Sequence, residues 1–223
     1  MTVEPRWRIP TPLPHTASAD ALWMVDAVTG LSSGELLTLA HDGVLVPVLG
    51  PVHYAKGSAI TRQVKAAAIR AVVPQGVWHR SVLHRASAAW FHSCAPAPQV
   101  VDFITLRQDR ASTRPAPPSA PVRWVTRQLL HQPMDVDHFY GLAVTTPLRT
   151  AVDVACWEHP DAVEILTVLM GAPHLRVQPQ AVVEVIRARP RLPHRDRGVA
   201  NVRKAARRLD LPVPAGRLSA GTR

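Results

Sequence analysis

His79, His84, His92 and Cys94 fall within sixteen residues, and nitrogen and sulfur donors that close together invite a zinc site. Their spacing matches no standard site and there is no Cys-x-x-Cys, so no metal is expected. Gly30-Leu31-Ser32-Ser33-Gly34 has the letters of the hydrolase nucleophile elbow, G-x-S-x-G. That elbow needs a strand before the serine and further strands upstream, and only about thirty residues precede it here, opening on a proline-rich stretch. Ser32 reads better as a helix N-cap. Asp102, Asp135, Asp137 and Asp153 are the acids that a metal-dependent nuclease would have to bring to one point. Arg149 and Asp153 stand i,i+4, the spacing of an exposed helix ion pair worth a few tenths of a kcal/mol. The functional alternative is a polar pair that fixes the domain or meets a ligand. There is no phosphate-cradling Gly-rich loop with Lys, no G-x-G-x-x-G and no H-E-x-x-H. No catalytic residue and no cofactor is expected.

The charge points more clearly to a partner. The 223 residues carry 26 Lys and Arg against 16 Asp and Glu, a net charge of +10. Residues 174–223 alone hold 12 of those cations and only 3 of the acids, so the rest of the chain is near neutral. Near the end, Arg203, Lys204, Arg207 and Arg208 form two i,i+4 rows of like charge opposite an apolar face of Val199, Val202, Ala206 and Leu209. Like charges at that spacing cost a helix a few tenths of a kcal/mol, which an anionic partner offsets. Arg dominates the cations and there are 22 prolines, so coding bias contributes to the count. A hydrophobic share of 47% supports a real core. Cys94 and Cys156 make no disulfide scaffold and fit a reducing cytoplasm. No apolar run reaches a membrane span, and residues 1–15 have no apolar core of a secretory signal.

The elements that would position these groups follow from the pattern. Residues 1–15, with four prolines and Arg6 and Arg8, read as a flexible or polyproline-like arm. A helix is expected over Ala19–Thr29, stopped by Gly30. Ser32 with Glu35 is a capping box that starts a second helix, with Leu36, Leu37, Leu39 and Ala40 inward and Gly43 ending it. Val44–Leu49 and Val52–Ala55 read as a hairpin across Gly50-Pro51, with Pro47 marking an edge strand. Helix, Gly-containing turn, short helix and hairpin is the order of a winged helix-turn-helix over residues 16–58. A mixed domain follows over 59–173: helices at 61–73 and 84–91, an extended stretch between them, strands at 100–106, 122–130 and 141–145, and helices after Thr146-Pro147 and over 161–170. Residues 174–223 make a basic helical extension, with helices at 179–188 and 198–210. The expected fold class is α+β, and no internal repeat is visible.

Three segments together carry a family resemblance. Gly43–Val48 with Val52-His53-Tyr54-Ala55 is similar to a "G-x-L-x-R-V … G-V-Y" wing. Arg85–His92 is similar to "S-A-A-x-L-H-G", with Ser87 at its serine. Gly141–Asp153 is similar to "G-L-P-V-T-S-P-x-R-T-x-x-D", with Arg149 and Asp153 at its Arg and Asp, and is the most specific of the three. Over roughly residues 20–170 the chain resembles the AbiEi-type antitoxins and transcriptional regulators of type IV toxin–antitoxin systems. The resemblance implies a winged helix on operator DNA, an α+β domain with a positive face, autoregulation of a toxin operon, and a toxin countered without a stable complex. Two departures stand out. Pro47 and Pro51 replace the wing Arg and the glycine before Val-Tyr, and the chain has no room for the restriction-endonuclease-like domain of many long relatives.

The expected function is thus a cytoplasmic, non-enzymatic regulator of double-stranded DNA. Arg6, Arg8, Ser33, Thr38, His41, His53, Lys56, Arg203, Lys204, Arg207 and Arg208 are the contacts. The proposed recognition helix, Ser33–Asp42, has no Lys or Arg, so the arm and the basic end must supply the phosphate grip. The alternatives are a protein- or RNA-interaction module with a basic tail and a truncated relative of a nuclease.

Overall fold

The computed structural model describes residues 22–23, 32–106, 115–189 and 191–212, with only the backbone of Leu22, Trp23 and Ser33. The arm, with Arg6 and Arg8, lies outside the described residues. The fold is mixed α+β, with eight helices and two sheets among the described residues, divided into a unit ending at Thr150 and a unit from Ala151 onward.

In the first unit, β1 (Leu22–Trp23), β2 (Leu45–Leu49) and β3 (Val52–Ala55) form an antiparallel sheet in the order β1-β3-β2. Helix α1 (Ser33–His41) lies between β1 and β2 in sequence. The helix expected over 19–29 is corrected at Leu22–Trp23, which pair as a strand with Tyr54 and His53. The free edge of β3 takes up their backbone groups, and that tertiary pairing overrides a local helical pattern. The remainder of that expected helix lies outside the described residues. Pro47 sits on β2, an edge strand in this sheet, where its missing N–H breaks no ladder, and the register slips beside it.

Five more strands form the second sheet: β4 (Val82–Leu83), β5 (Val100–Thr105), β6 (Arg123–Gln128), β7 (Val136–Phe139) and β8 (Leu142–Thr145), in the order β6-β5-β4-β8-β7. Leu83 stands opposite Phe103 and Val144, so all three project from one face. That face joins Val48, Leu49, Val52 and Tyr54 of the hairpin, and Val64, Ile69 and Val72 of α2 (Arg62–Val72), in one hydrophobic core. Burying each such side chain contributes about 1.5–3 kcal/mol. The hairpin is therefore part of the core, and its tip is not free. Gly50 has φ +53, and a Cβ there would run into Val122. After α2 the chain makes α3 (Gln75–Trp78) where an extended stretch was expected, because Pro74 supplies the N-cap and its carbonyl accepts from Val77 and Trp78. Helix α4 (Arg85–Phe91) follows β4, and α5 (Pro147–Ala155) follows β8.

The second unit holds the end of α5 with α6 (Ala162–Gly171), α7 (Pro179–Ala188) and α8 (Arg195–Arg208). Val182, Val183, Ile186, Val199, Val202 and Ala206 are buried. Gly198 permits the close approach of α8, since a Cβ there would lie 2.7 Å from Cys156 Sγ and 3.2 Å from Ile186 Cδ1. Asn201 Nδ2 donates to the Ala155 carbonyl at 3.0 Å, and Arg195 caps the end of α7 through the Ile186 and Arg187 carbonyls. Helix α8 starts three residues earlier than the pattern suggested. Among the described residues no helix is long and apolar enough to cross a membrane.

Candidate functional site

Helix α1 is held at its start by the capping box: Ser32 Oγ accepts from Glu35 N at 3.3 Å, and the Glu35 carboxylate accepts from Ser32 N at 2.6 Å. The Ser32 backbone N–H, and after it the Ser32 hydroxyl, hold the Glu35 carboxyl below its ordinary value. Leu36 is buried and fixes the helix's rotation, which leaves Glu35, Thr38, His41 and Asp42 exposed; Leu37, expected inward, is a correction, since it too is exposed, while Leu39 and Ala40 are half-buried. Thr38 and His41 thus face outward, as a reader of base edges requires. The Thr38 hydroxyl donates back to the Gly34 carbonyl at 2.9 Å and keeps its lone pairs outward. Lys56 is exposed beside the C-terminal end of this helix: a Cβ on Gly43 would lie 3.0 Å from its Nζ. The side chain of Ser33 lies outside the described residues.

His53 is a correction. It is 8% exposed on β3, and its Nδ1 donates to the Pro51 carbonyl at 3.0 Å. β3 is the central strand of its sheet, and Val52, His53 and Tyr54 are all buried, so His53 is covered even on the face opposite the core-facing Val52 and Tyr54. The hairpin tip, seated on Pro121-Val122, is likewise not a projecting wing.

In the second unit, Lys204, Arg207 and Arg208 are exposed on α8 and Arg203 is half-buried. Positions 204, 207 and 208 share one face, so three cations stand together, with Val199, Val202 and Ala206 buried on the opposite side. Arg197 is committed elsewhere, to Glu158 at 3.0 Å.

The residues that carry the family motifs are interior. Arg149 is 3% exposed and Asp153 is 6% exposed, so the exposed i,i+4 ion pair is corrected. The Arg149 guanidinium donates to Asp135 Oδ2 at 2.9 Å and to the Leu130 carbonyl at 3.3 Å. Asp135 reaches it because β7 pairs with β8: Val136 stands opposite Thr145, and Thr146 N donates to the Asp135 carbonyl. Asp135 also accepts from Gln132 N at 2.9 Å, closing the 130–135 loop. Around the same end of the sheet, Ser87 Oγ accepts from Asp102 N at 2.8 Å, His84 N donates to the Asp102 carbonyl, and Asp102 pairs with Arg127. His92 Nε2 donates to the Thr145 carbonyl at 2.8 Å, and the Thr145 and Thr150 hydroxyls lie 2.7 Å apart. Burial, reinforced by Arg85, Arg127 and Arg149, keeps His84 neutral, well below its ordinary pKa. Ser87, Arg149 and their partners are thus a hydrogen-bonded scaffold that joins strand ends to the starts of α4 and α5.

The candidate metal and nuclease groups do not converge. His79 is exposed, while His84, His92 and Cys94 are buried, the Cys94 thiol donating to the His92 carbonyl at 3.5 Å. Burial pushes the Cys94 thiol up to about 12, against Lys65 and Arg62. Asp102 and Asp135 are each neutralised by an arginine. Among the described residues no three His, Cys, Asp or Glu side chains are grouped to hold a metal ion. Sequence reasoning missed Asp135 as the partner of Arg149, and also the buried Lys65. The Lys65 ammonium caps α4 through the Trp90 carbonyl at 2.6 Å and meets Ser93 Oγ at 2.9 Å. Compared with known proteins, the chain matches no family model and no curated protein sequence.

Proposed function

We propose that the chain is a DNA-binding transcriptional regulator of the AbiEi antitoxin type, which binds the double-stranded operator of its own operon and counters a toxin without a stable complex. It acts without catalysis and without a cofactor. The observation that carries the reading is the β1-β3-β2 sheet with α1 leading straight into β2, the strand order of a winged helix-turn-helix, together with Thr38 and His41 facing outward on α1. Lys56 is an exposed cation beside the end of that helix, and Lys204, Arg207 and Arg208 on α8 supply further phosphate contacts from the second unit. The seated hairpin argues for reading through α1 rather than through a wing. Binding of the intact protein to its own upstream DNA, measured against scrambled duplex, tests this directly. No complex at low salt would refute it.

A second reading, a protein-interaction module, has its own support. Leu37 is 65% exposed on α1 beside the carboxylates of Glu35 and Asp42, and the helix carries no Lys or Arg. A Leu37→Ala variant separates the two. It leaves duplex affinity nearly unchanged if Thr38 and His41 are the readers, whereas a protein partner seated on α1 would be lost.

A further inference from the structure

Residues 43–101 contain no Asp or Glu and carry six cations, Lys56, Arg62, Lys65, Arg70, Arg80 and Arg85. Within that run α2 and α3 border an open cleft of about 740 Å³. Ala71, Val73, Pro74, Trp78 and Pro121 line it, with Arg70 and Gln75 as its polar groups. The exposed Arg70 places its guanidinium carbon 5.6 Å from the Trp78 ring centroid, and its Nη1 donates to the Tyr140 carbonyl at 3.3 Å. The Tyr140 side chain is 55% exposed, and next to it Arg62 lies 4.9 Å from the Phe139 ring centroid. Arg80 is exposed two residues beyond Trp78. Arg62, Arg70 and Trp78 come from that acid-free stretch, while Phe139 and Tyr140 are brought to them by the end of β7, whose nearest carboxylate is the half-exposed Asp137.

This combination selects among anions. A duplex offers phosphates but hides the faces of its bases, so the rings would add nothing to its binding. An acidic peptide would use the arginines and leave the rings idle. An unpaired strand uses both, stacking bases on aromatic rings while cations follow its phosphates. We infer that the α2–α3 cleft and the adjoining β7–β8 turn form a binding site for single-stranded nucleic acid. Trp78 and Tyr140 are its stacking platforms, Arg70 and Arg80 its phosphate contacts, and the Gln75 amide is a donor or acceptor for a base edge. The site is built from residues other than those of α1 and α8 and does not depend on the operator reading.

The test uses the intact protein and fluorescently labelled oligo(U) and oligo(dT) of about 12 nucleotides, with a duplex of equal length as control. At low salt the expected result is binding to at least one oligonucleotide with quenching of tryptophan emission; preference for oligo(U) assigns RNA as the ligand. Arg70→Glu and Arg80→Glu alter exposed side chains and are each expected to weaken oligonucleotide binding about tenfold without lowering duplex affinity. Trp78→Ala is expected to weaken it at least about fivefold and Trp78→Phe to retain most of it, in variants with unchanged melting. Replacing Lys204, Arg207 and Arg208 by Gln should leave oligonucleotide affinity unchanged. The inference is overturned if neither oligonucleotide binds, if Arg70→Glu has no effect, or if the α8 replacement abolishes the binding. A protein that binds its operator but no single strand would sink this inference alone.

Discussion

Arg149→Met removes a guanidinium from the interior while keeping most of the side chain's volume. In the folded protein Arg149 is 3% exposed and Asp135 is 6% exposed, 2.9 Å apart, so removing one partner leaves a carboxylate without its counter-charge. The Leu130 carbonyl also loses a donor. Breaking a buried pair from one side costs about 3–5 kcal/mol, against the few tenths expected of an exposed helix pair. For a protein of this size, that corresponds to a fall in melting temperature of about 6–20 °C. Urea unfolding and thermal melting of wild type, Arg149→Met, Asp135→Asn and the double variant provide the measurement. The double variant should recover part of the loss, because the Asp135 charge is then removed together with its counter-charge. A loss below about 1 kcal/mol for Arg149→Met, or strict additivity in the cycle, would refute the reasoning and return Arg149 to the status of a surface residue.

Three further outcomes follow from the same structure. Ser32→Ala removes one half of the capping box on α1 and should cost about 1 kcal/mol in urea unfolding, with faster amide exchange confined to the first turn of α1. Burial holds Lys65 down to about 8 from 10.5, so between those values the unfolded chain binds more protons and stability rises with pH, by about 3 kcal/mol in total. Cys94, raised from 9.0 to about 12, acts oppositely: the folded state keeps a proton that the unfolded chain loses, so stability falls over that range. A Cys94→Ala background therefore isolates the rise, and adding Lys65→Met should abolish it, as read by denaturant midpoints from pH 7 to 11. His84 stays neutral when folded, whereas its unfolded form takes up a proton near 6.5; stability should therefore fall as pH drops below that value, and His84→Asn should flatten the slope.

The local parts of the fold were legible in the sequence because their causes are local. The Ser32/Glu35 box, the Gly50-Pro51 turn and the alternation of Val100–Thr105 each name their element from a few adjacent residues. β1 was not legible, since Leu22–Trp23 become a strand only by pairing with β3. β7 was hidden because Val136-Asp137-His138-Phe139 is a half-exposed edge strand without an apolar face. The site divides in the same way. Thr38, His41 and Lys204 were placed outward by helical periodicity. Helical spacing points from Arg149 to Asp153, four residues ahead, but only sheet pairing brings Asp135 to it from fourteen residues back. His53 has the place of a wing residue in the sequence, but it sits on the central strand of its sheet, whose Val52, His53 and Tyr54 are all buried.

The central claim is most directly tested by measuring duplex binding as a function of salt. Labelled DNA from upstream of the gene is titrated with the intact protein and with a variant in which Lys204, Arg207 and Arg208 are replaced by Gln, each against scrambled duplex. The account predicts a complex that favours the upstream sequence, a logarithmic salt slope reduced by about 3 in the α8 variant, and loss of the sequence preference in Thr38→Ala/His41→Ala with the slope retained. Equal affinity for both duplexes, or a slope unmoved by removing three cations, would contradict it.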